Sequence, residues 1–383
     1  MSSPAPTSKL RVLIVGGGVA ALETALALHE LAPGLTDTTV LAPNSEFLYR
    51  PLTVREPFAY PPARRYPLAP IMQDAGASLV NDELAWVEPA KRLVHTLAGA
   101  EIGYDVLVLA MGARISARFD HAITVDDRQL DETLHGLIQD IEGGYVASVA
   151  FVAPARMAWP MPLYELALMT AARAYDMNVE LATTIVTPED SPLSIFGLTA
   201  SAGVGELLAQ ARIETITSAY VEVPRTGEIV INPGDRHLKV DRVVALPELY
   251  GPAIRGVRLS EHGFLRVDEH CRLIEEEHIY AAGDATEFAV KHGGIASQQA
   301  DAVAQAIAAR AGAELTPEPF HPIIRGMLLT GDRPRYLTAR ITGGAGFSSE
   351  ISEQPTWSPP SKIAARYLAP YLDALDSALL LSR

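Results

Sequence analysis

The run Arg11-Val-Leu-Ile-Val15, followed at once by Gly16-Gly17-Gly18 and an apolar stretch to Leu31, constrains this chain more than any other segment. Five residues rich in branched side chains are too short for a helix and read as a buried parallel strand. The glycines break it. Val19 to Leu31 then reads as a helix packed on that strand, ending near Pro33-Gly34. Thr38-Thr-Val-Leu41 supplies a second strand. Strand, turn, helix and strand form the unit of a doubly wound sheet, so the fold class is α/β.

The turn has the G-x-G-x-x-A form, Gly16-Gly17-Gly18-Val19-Ala20-Ala21. Gly16 allows the tight turn, Gly18 lets backbone approach a pyrophosphate, and Ala21 permits close helix–strand packing. The helix N-terminus at Val19 and Ala20 offers unpaired N–H groups and partial positive charge to phosphate. A dinucleotide is therefore the expected ligand. The second strand should end in an acid for the adenosine ribose, yet it ends Leu41-Ala42-Pro43-Asn44. Asn44 or backbone groups must substitute, and Asp37 reads as a turn residue before the strand.

Further strands are expected at Gly103–Ala110, Ser148–Val152, Val179–Val186, Ile216–Val223, Ile229–Asn232, Arg242–Leu246 and Ile279–Ala281. Helices are expected over Leu163–Ala174 and Ser297–Ala311, with another near the C-terminus. Residues 45–75 carry six prolines and read as an ordered, irregular insertion. No tandem repeat is present, but strand–turn–helix starts near 11 and near 148 suggest two copies of one nucleotide-binding fold.

A second motif, Ile279-Tyr-Ala-Ala-Gly283-Asp284, ends a strand in a carboxylate beside the dinucleotide crevice, suited to a ribitol hydroxyl of FAD. Lys291-His-Gly-Gly294-Ile295-Ala-Ser-Gln-Gln299 opens a helix whose N-terminus would stabilise an anionic reduced flavin, with Lys291 at the flavin edge. Leu109-Ala110-Met111-Gly112 resembles the turn that flavoproteins place after the corresponding FAD-domain strand.

Together with Glu46-Phe-Leu-Tyr-Arg-Pro51-Leu52, Val243-Val-Ala-Leu-Pro247, Gly251-Pro252 and Gly263-Phe264, these motifs make the chain resemble the pyridine nucleotide–disulfide oxidoreductase superfamily of FAD proteins. It is most similar to the branch holding type II NADH dehydrogenases and sulfide:quinone oxidoreductases. The resemblance implies two Rossmann-like domains and a small C-terminal region. A split FAD domain would take residues 1–115 and 260–320, an inserted NAD(P)-type domain 116–259, and a flavin-covering piece 321–383. It also implies that Tyr49, Arg50 and Pro51 lie near the flavin, with a structural ion pair as the alternative role for Arg50. In membrane relatives the C-terminal piece helps bind quinone and bilayer.

The pattern fails in the second domain. After Ser148–Val152 the loop Ala153-Pro-Ala-Arg-Met-Ala-Trp-Pro-Met-Pro162 has no glycine, so standard NAD(P)H docking is not expected there. The Pro-x-Pro-Leu-Tyr-Glu165 stretch resembles the matching loop of sulfide:quinone oxidoreductases, where a catalytic cysteine precedes it. Here Ala158 and Trp159 stand in that region. Trp159 and Tyr164 are the substrate-side candidates, with Trp159 either covering the flavin or serving as a packing aromatic. Arg156 is a phosphate contact or a surface arginine. His292 is a surface or core imidazole or a proton shuttle.

The sole cysteine, Cys271, cannot form an internal disulfide or a dithiol pair. Disulfide reductase chemistry and cysteine-based sulfide oxidation, which needs at least two thiols, are therefore excluded as expectations. Cys271 itself reads as a small, partly buried residue, and a reduced cytoplasm is the expected location. The histidines show no metal-ligand spacing. A net charge of -15 disfavours nucleic acid and anionic membranes.

No run of about 18 apolar residues marks a transmembrane helix, and the Ser/Pro-rich start lacks the core of a signal peptide. In the tail, Ile363, Tyr367, Tyr371, Leu375 and Leu379 form an i+4 stripe that Pro370 should interrupt. A helix packed on the FAD domain is expected there; peripheral membrane contact, at the inner face, is the alternative, and a homodimer stays open. The sequence thus predicts an FAD-dependent oxidoreductase passing electrons from a small donor to a quinone-like or protein acceptor. NAD(P)H is the donor by family default. The alternative is a non-catalytic FAD-binding protein with a structural, sensing or partner-binding role.

Overall fold

A computed structural model describes residues 9–343 and 346–381; the N-terminal tail before Lys9 and Arg383 lie outside the described residues. In chain order the helices are α1 (Val19–Leu31), α2 (Leu68–Asp74), α3 (Leu130–Glu142), α4 (Met161–Asp176), α5 (Gly197–Gln210), α6 (Gly293–Arg310) and α7 (Leu368–Leu381).

Two parallel five-stranded sheets organise the chain. The first runs Ile279–Ala281, Val106–Leu109, Leu10–Val15, Thr36–Leu41, Ser78–Val80, with Val15 opposite both Leu41 and Leu109. Alternate residues serve opposite faces. Val12 and Ile14 join the core with α1 and α6, whereas Leu13 and Val15 pack with Val87 and Val94 of a three-stranded antiparallel sheet and with Tyr104, which follows its last strand.

The second sheet runs Ile123–Thr124, Arg242–Ala245, Ser148–Val152, Ala182–Val186, Glu214–Ile216. Val149, Phe151, Ile185 and Val244 face residues of α3, α4 and α5. Ala150, Val152, Val186, Val243 and Ala245 face Val221, Val223, Ile229 and Ile231 of another antiparallel sheet. Each parallel sheet thus has helices on one face and a small antiparallel sheet on the other. The two copies expected near residues 11 and 148 are both formed.

Several local readings are corrected. The run Gly103–Ala110 splits into Glu101–Gly103 and Val106–Leu109, which belong to different sheets. Ile216–Val223 divides in the same way, between Glu214–Ile216 and Tyr220–Arg225. Asp37 lies inside the strand Thr36–Leu41, not in a turn before it. The helix expected from Ser297 begins at Gly293. Pro370 falls in the first turn of α7, where its missing N–H and fixed φ do no harm, so Leu368–Leu381 runs unbroken.

The proline-rich insertion is a short hairpin, Glu46–Leu48 with Arg65–Pro67, around a 3-10 helix, Arg50–Phe58. Val54 and Phe58 of that helix are buried in the second domain's core. A three-stranded antiparallel sheet, Ile323–Leu328, Arg335–Gly343 and Gly346–Ser352, was not anticipated. It packs on α4: an ideal Cβ on Gly326 would lie 2.2 Å from Met161 Cε, so a larger residue would have to displace the end of that side chain. No helix among the described residues is long and apolar enough to cross a membrane.

Candidate functional site

The first strand ends at Val15 and the chain turns through Gly16, whose φ is +130°. A Cβ there would lie 2.3 Å from Ala110 O, so this turn requires glycine on two counts. Gly18 differs. It caps α1 in an extended conformation, and a Cβ on it would meet nothing within 4 Å. No side chain caps α1 and its first turn carries no acid, while Ala20 and Ala21 are buried behind it. The helix thus presents its positive end to open space, as an anion requires. Ala42, where a ribose-binding acid was missed, is buried, and Asn44 beyond it is exposed.

The Gly283–Asp284 turn meets this helix start directly. A Cβ on Gly283 would lie 3.3 Å from Ala20 Cβ and 3.2 Å from Ala296 Cβ, so α1, the turn and α6 converge. The turn is fixed by Gly283 N donating to Gln299 Oε1 at 2.8 Å and by Thr286 Oγ1 donating to Gly283 O at 2.9 Å. Burial pushes the Asp284 carboxyl up, opposed by the charge of Lys291. Lys291 is buried with its Nζ over the Phe264 ring at 4.2 Å, donating to Thr286 O. Burial pulls it down to about 8, opposed by Asp284 and Glu287. Gly112, after the Val106–Leu109 strand, has φ +76° with open space at its Cβ position, and Met111 beside it is half-buried.

At the start of α6, His292 Nδ1 accepts from Gly294 N at 3.0 Å and caps the helix. Gly294 and Ile295 are buried in that first turn. Nδ1 being an acceptor, the proton sits on Nε2, which is buried and has no partner. Burial holds the ring at about 3, so it is neutral at physiological pH. Trp159 stacks on it at 4.2 Å between centroids and meets Phe196 edge-on at 5.8 Å. Trp159 thus packs on this helix cap. Lys291 N donates to Ala158 O at 3.2 Å, joining the glycine-free loop to the α6 entrance.

Arg156 is not a free surface arginine. It stacks on Tyr250 at 4.7 Å, donates to Leu249 O at 3.3 Å and reaches His262 Nδ1 at 3.1 Å. Tyr164 is fully buried and its hydroxyl donates to Glu189 Oε2 at 2.6 Å, beyond the end of the Ala182–Val186 strand. It offers no free hydroxyl to a substrate, contrary to expectation. Arg50 is half-exposed and pairs with Asp127 at 3.7 Å.

The pair that sequence reading missed is Glu165 with Lys362. Lys362 Nζ contacts Glu165 Oε1 at 2.6 Å and Oε2 at 2.8 Å, and donates to Pro51 O at 3.1 Å. Leu329 N donates to Glu165 Oε1 at 2.9 Å. Burial pushes Glu165 up and Lys362 down, and their pairing opposes both shifts. Removing either partner alone would cost about 3–5 kcal/mol. The pair joins α4, the proline-rich insertion and the C-terminal tail at one point.

Cys271 is fully buried, more than expected, among first-domain residues such as Tyr280 and Ala282. Burial raises its thiol to about 12, so it is no thiolate at working pH. Cys271→Ser should leave electron transfer unchanged while lowering stability by about 1–3 kcal/mol, because the hydroxyl enters an apolar core. A large loss of turnover in the serine variant, with the fold retained, would contradict this. Among the described residues no cluster of three or more His, Cys, Asp or Glu could hold a metal ion.

Residues 165–310 match the pyridine nucleotide-disulphide oxidoreductase family model. The sulfide-quinone reductase of Aquifex aeolicus (strain VF5) is 23% identical over 269 residues, 63% of this chain. The match spans 59% of that relative's length. The solved sulfide:quinone oxidoreductase of Aquifex aeolicus superposes with a TM-score of 0.82 at 18% identity, covering 98% of this chain and 91% of that one. The ferredoxin reductase for the CYP199A2 system from Rhodopseudomonas palustris superposes with a TM-score of 0.67 at 19% identity, covering 89% and 88%.

Proposed function

We propose that this chain, whose residues 165–310 match the pyridine nucleotide-disulphide oxidoreductase family model, is an FAD-dependent oxidoreductase that passes electrons from a small donor to a quinone-like or protein acceptor. One observation carries this reading: the start of α1, the Gly283–Asp284 turn and the start of α6 converge, with open space at Gly18. The residues fit the group. A bare helix end suits the pyrophosphate, Asp284 suits a ribityl hydroxyl, and the unpartnered His292 Nε2–H suits a carbonyl on the pyrimidine edge. Val19, Ala20, Met111, Gly112, Arg50 and Pro51 would complete the cradle. We propose the same division of the chain: residues 1–115 with 260–320 hold FAD, 116–259 form the second domain, and 321–383 cover the site.

Bound FAD supplies reversible two-electron chemistry at its ring, and the protein supplies position, charge and protons. Lys291, held near 8, carries a positive charge whose proton can leave within the working range. Trp159 and His292 stack on each other at the α6 entrance. Glu165 and Lys362 hold a buried proton between Oε and Nζ, available to an acceptor that gains protons with its electrons, as a quinone does. No thiol is assigned a role, and a cysteine-based sulfide route is not proposed.

The purified protein should carry non-covalent FAD, and its reduced flavin should be reoxidised anaerobically by a short-chain ubiquinone. The flavin absorption band, followed by stopped flow, reads both. A colourless protein that takes up no FAD on refolding would overturn the cofactor assignment. Reduced flavin indifferent to quinone would point to a protein acceptor, and flavin that no donor or acceptor changes would favour the non-catalytic reading.

A further inference from the structure

The tail from Ser361 to Leu368 crosses three parts of the site before entering α7. Lys362 reaches Glu165 and Pro51 O, and Ile363 N donates to Tyr49 Oη at 3.0 Å. The Ile363 side chain sits on the start of α6, where a Cβ on Gly293 would lie 2.8 Å from Ile363 Cγ1. The strap then ends on one side chain of α1. Glu23, fully buried, accepts from Arg366 N at 2.7 Å and Tyr367 N at 3.0 Å through Oε1, and from Leu368 N at 2.6 Å through Oε2. Those are the N–H groups at and just before the start of α7. Glu23 therefore caps a helix some 340 residues away and sets a negative charge at its positive end.

A second carboxyl faces the first. Asp301 of α6 lies within hydrogen-bonding reach of Glu23, and its Oδ1 is buried without a donor of its own. Two carboxylates cannot share such a place unless one carries a proton. All three backbone donors go to Glu23, so the proton belongs on Asp301 and points to Glu23. The other charged or titratable groups here are Arg366 and Tyr367 on the strap and Glu30 on α1. The Arg366 charge favours ionisation of Asp301, and the Tyr367 hydroxyl is buried without a partner.

We propose that Glu23 and Asp301 share one proton and act together as the latch that positions the strap, residues 361–368, across the site. Both are positioning residues, acting through Lys362 and Ile363. With the proton in place, Glu23 is stabilised as the acceptor for all three amides. When the proton leaves, two buried negative charges repel and the strap is released. An open strap lifts Lys362 from Glu165 and Ile363 from Gly293. The latch does not depend on which cofactor or substrate occupies the site.

Closed, Asp301 holds its proton up to about 8, through burial first and the charge of Glu23 second. Open, it returns toward the ordinary carboxylate range. The closed form thus binds the extra proton, and its advantage falls as pH rises between those limits, by at most about tenfold per unit, and then levels off.

Hydrogen–deuterium exchange on the full protein, as protection factors for the 361–372 amides between pH 6 and 9, tests the latch. The opening constant in the wild type should rise with pH and flatten above about 8, while amides of the Leu10–Val15 strand, the control for folding, keep their protection. Asp301→Asn, whose amide donates without titrating, should stay protected with no pH slope. Glu23→Gln should open the strap throughout the range. A flat wild-type profile, an Asp301→Asn profile parallel to the wild type, or an Asp301→Asn strap open even at pH 6 would each overturn the proposal.

Discussion

Gly18→Val is expected to abolish FAD retention while leaving the fold in place. The backbone there is extended, with φ -96°, so a valine meets no conformational barrier, and its Cβ would have nothing within 4 Å. The added methyl groups project into the open space before α1, where a pyrophosphate must come to reach the amides. Losing two or three charge-assisted backbone bonds, at about 1.5–3 kcal/mol each, weakens FAD by at least about 100-fold. Replacing a glycine cap by a branched residue costs the helix only about 1 kcal/mol. Flavin content after gel filtration and a thermal melt separate the two effects. Gly16→Ala cannot make that distinction, because its Cβ would strike Ala110 O and the fold itself would suffer. Normal flavin content in Gly18→Val would place the phosphate elsewhere.

What could be read from the chain alone was whatever is local in sequence. Strand, glycine turn and helix near residue 11 follow within some twenty residues of one another, and the helix Val19–Leu31 has the bounds its apolar run suggested. The Gly283–Asp284 turn was legible for the same reason. Long-range pairs leave no such signal. Glu23 and Leu368 are 345 residues apart, and Glu165 and Lys362 are 197 apart. A glutamate inside an apolar helix stretch, such as Glu23 among Ala20, Ala21, Leu22 and Ala25, was the one available hint. Its burial requires a partner that the pattern cannot name.

The sheet over Ile323–Ser352 escaped for a different reason. Gly326 sits inside its first strand and Pro334 just before its second, and such residues normally argue against a strand. Packing overrides that preference here, since Gly326 is where the strand must pass close to Met161 and Phe196. Tyr164 was misjudged because the Pro-x-Pro-Leu-Tyr-Glu165 stretch was read as a loop on the substrate side. It lies in the first turns of α4, which turn Tyr164 into the second domain's core.

NADH and NADPH are expected to reduce the flavin slowly and without saturation at millimolar levels, if they reduce it at all. The loop from Ala153 to Pro162 has three prolines and no glycine, so Cβ atoms and missing donors stand where a pyrophosphate needs bare N–H groups. Losing two or three such bonds weakens binding by roughly two to six powers of ten. The structure adds two obstacles. The loop is held down at both ends of its middle stretch, by Arg156 on Tyr250 and by Trp159 on His292, with Ala158 O accepting from Lys291 N. Beyond the end of the second strand, where an acid would hold the adenosine ribose, Glu189 is already engaged. It accepts from Tyr164 Oη, from Thr187 Oγ1 at 3.2 Å and from Ser194 N at 3.2 Å. Phosphate and ribose recognition are thus both expected to be weakened, while Pro162 in the first turn of α4 leaves the helix undisturbed. Anaerobic titration at the flavin band decides the matter: saturation by either nucleotide at micromolar concentration would mean that this loop rearranges to bind it, and would restore NAD(P)H as the donor.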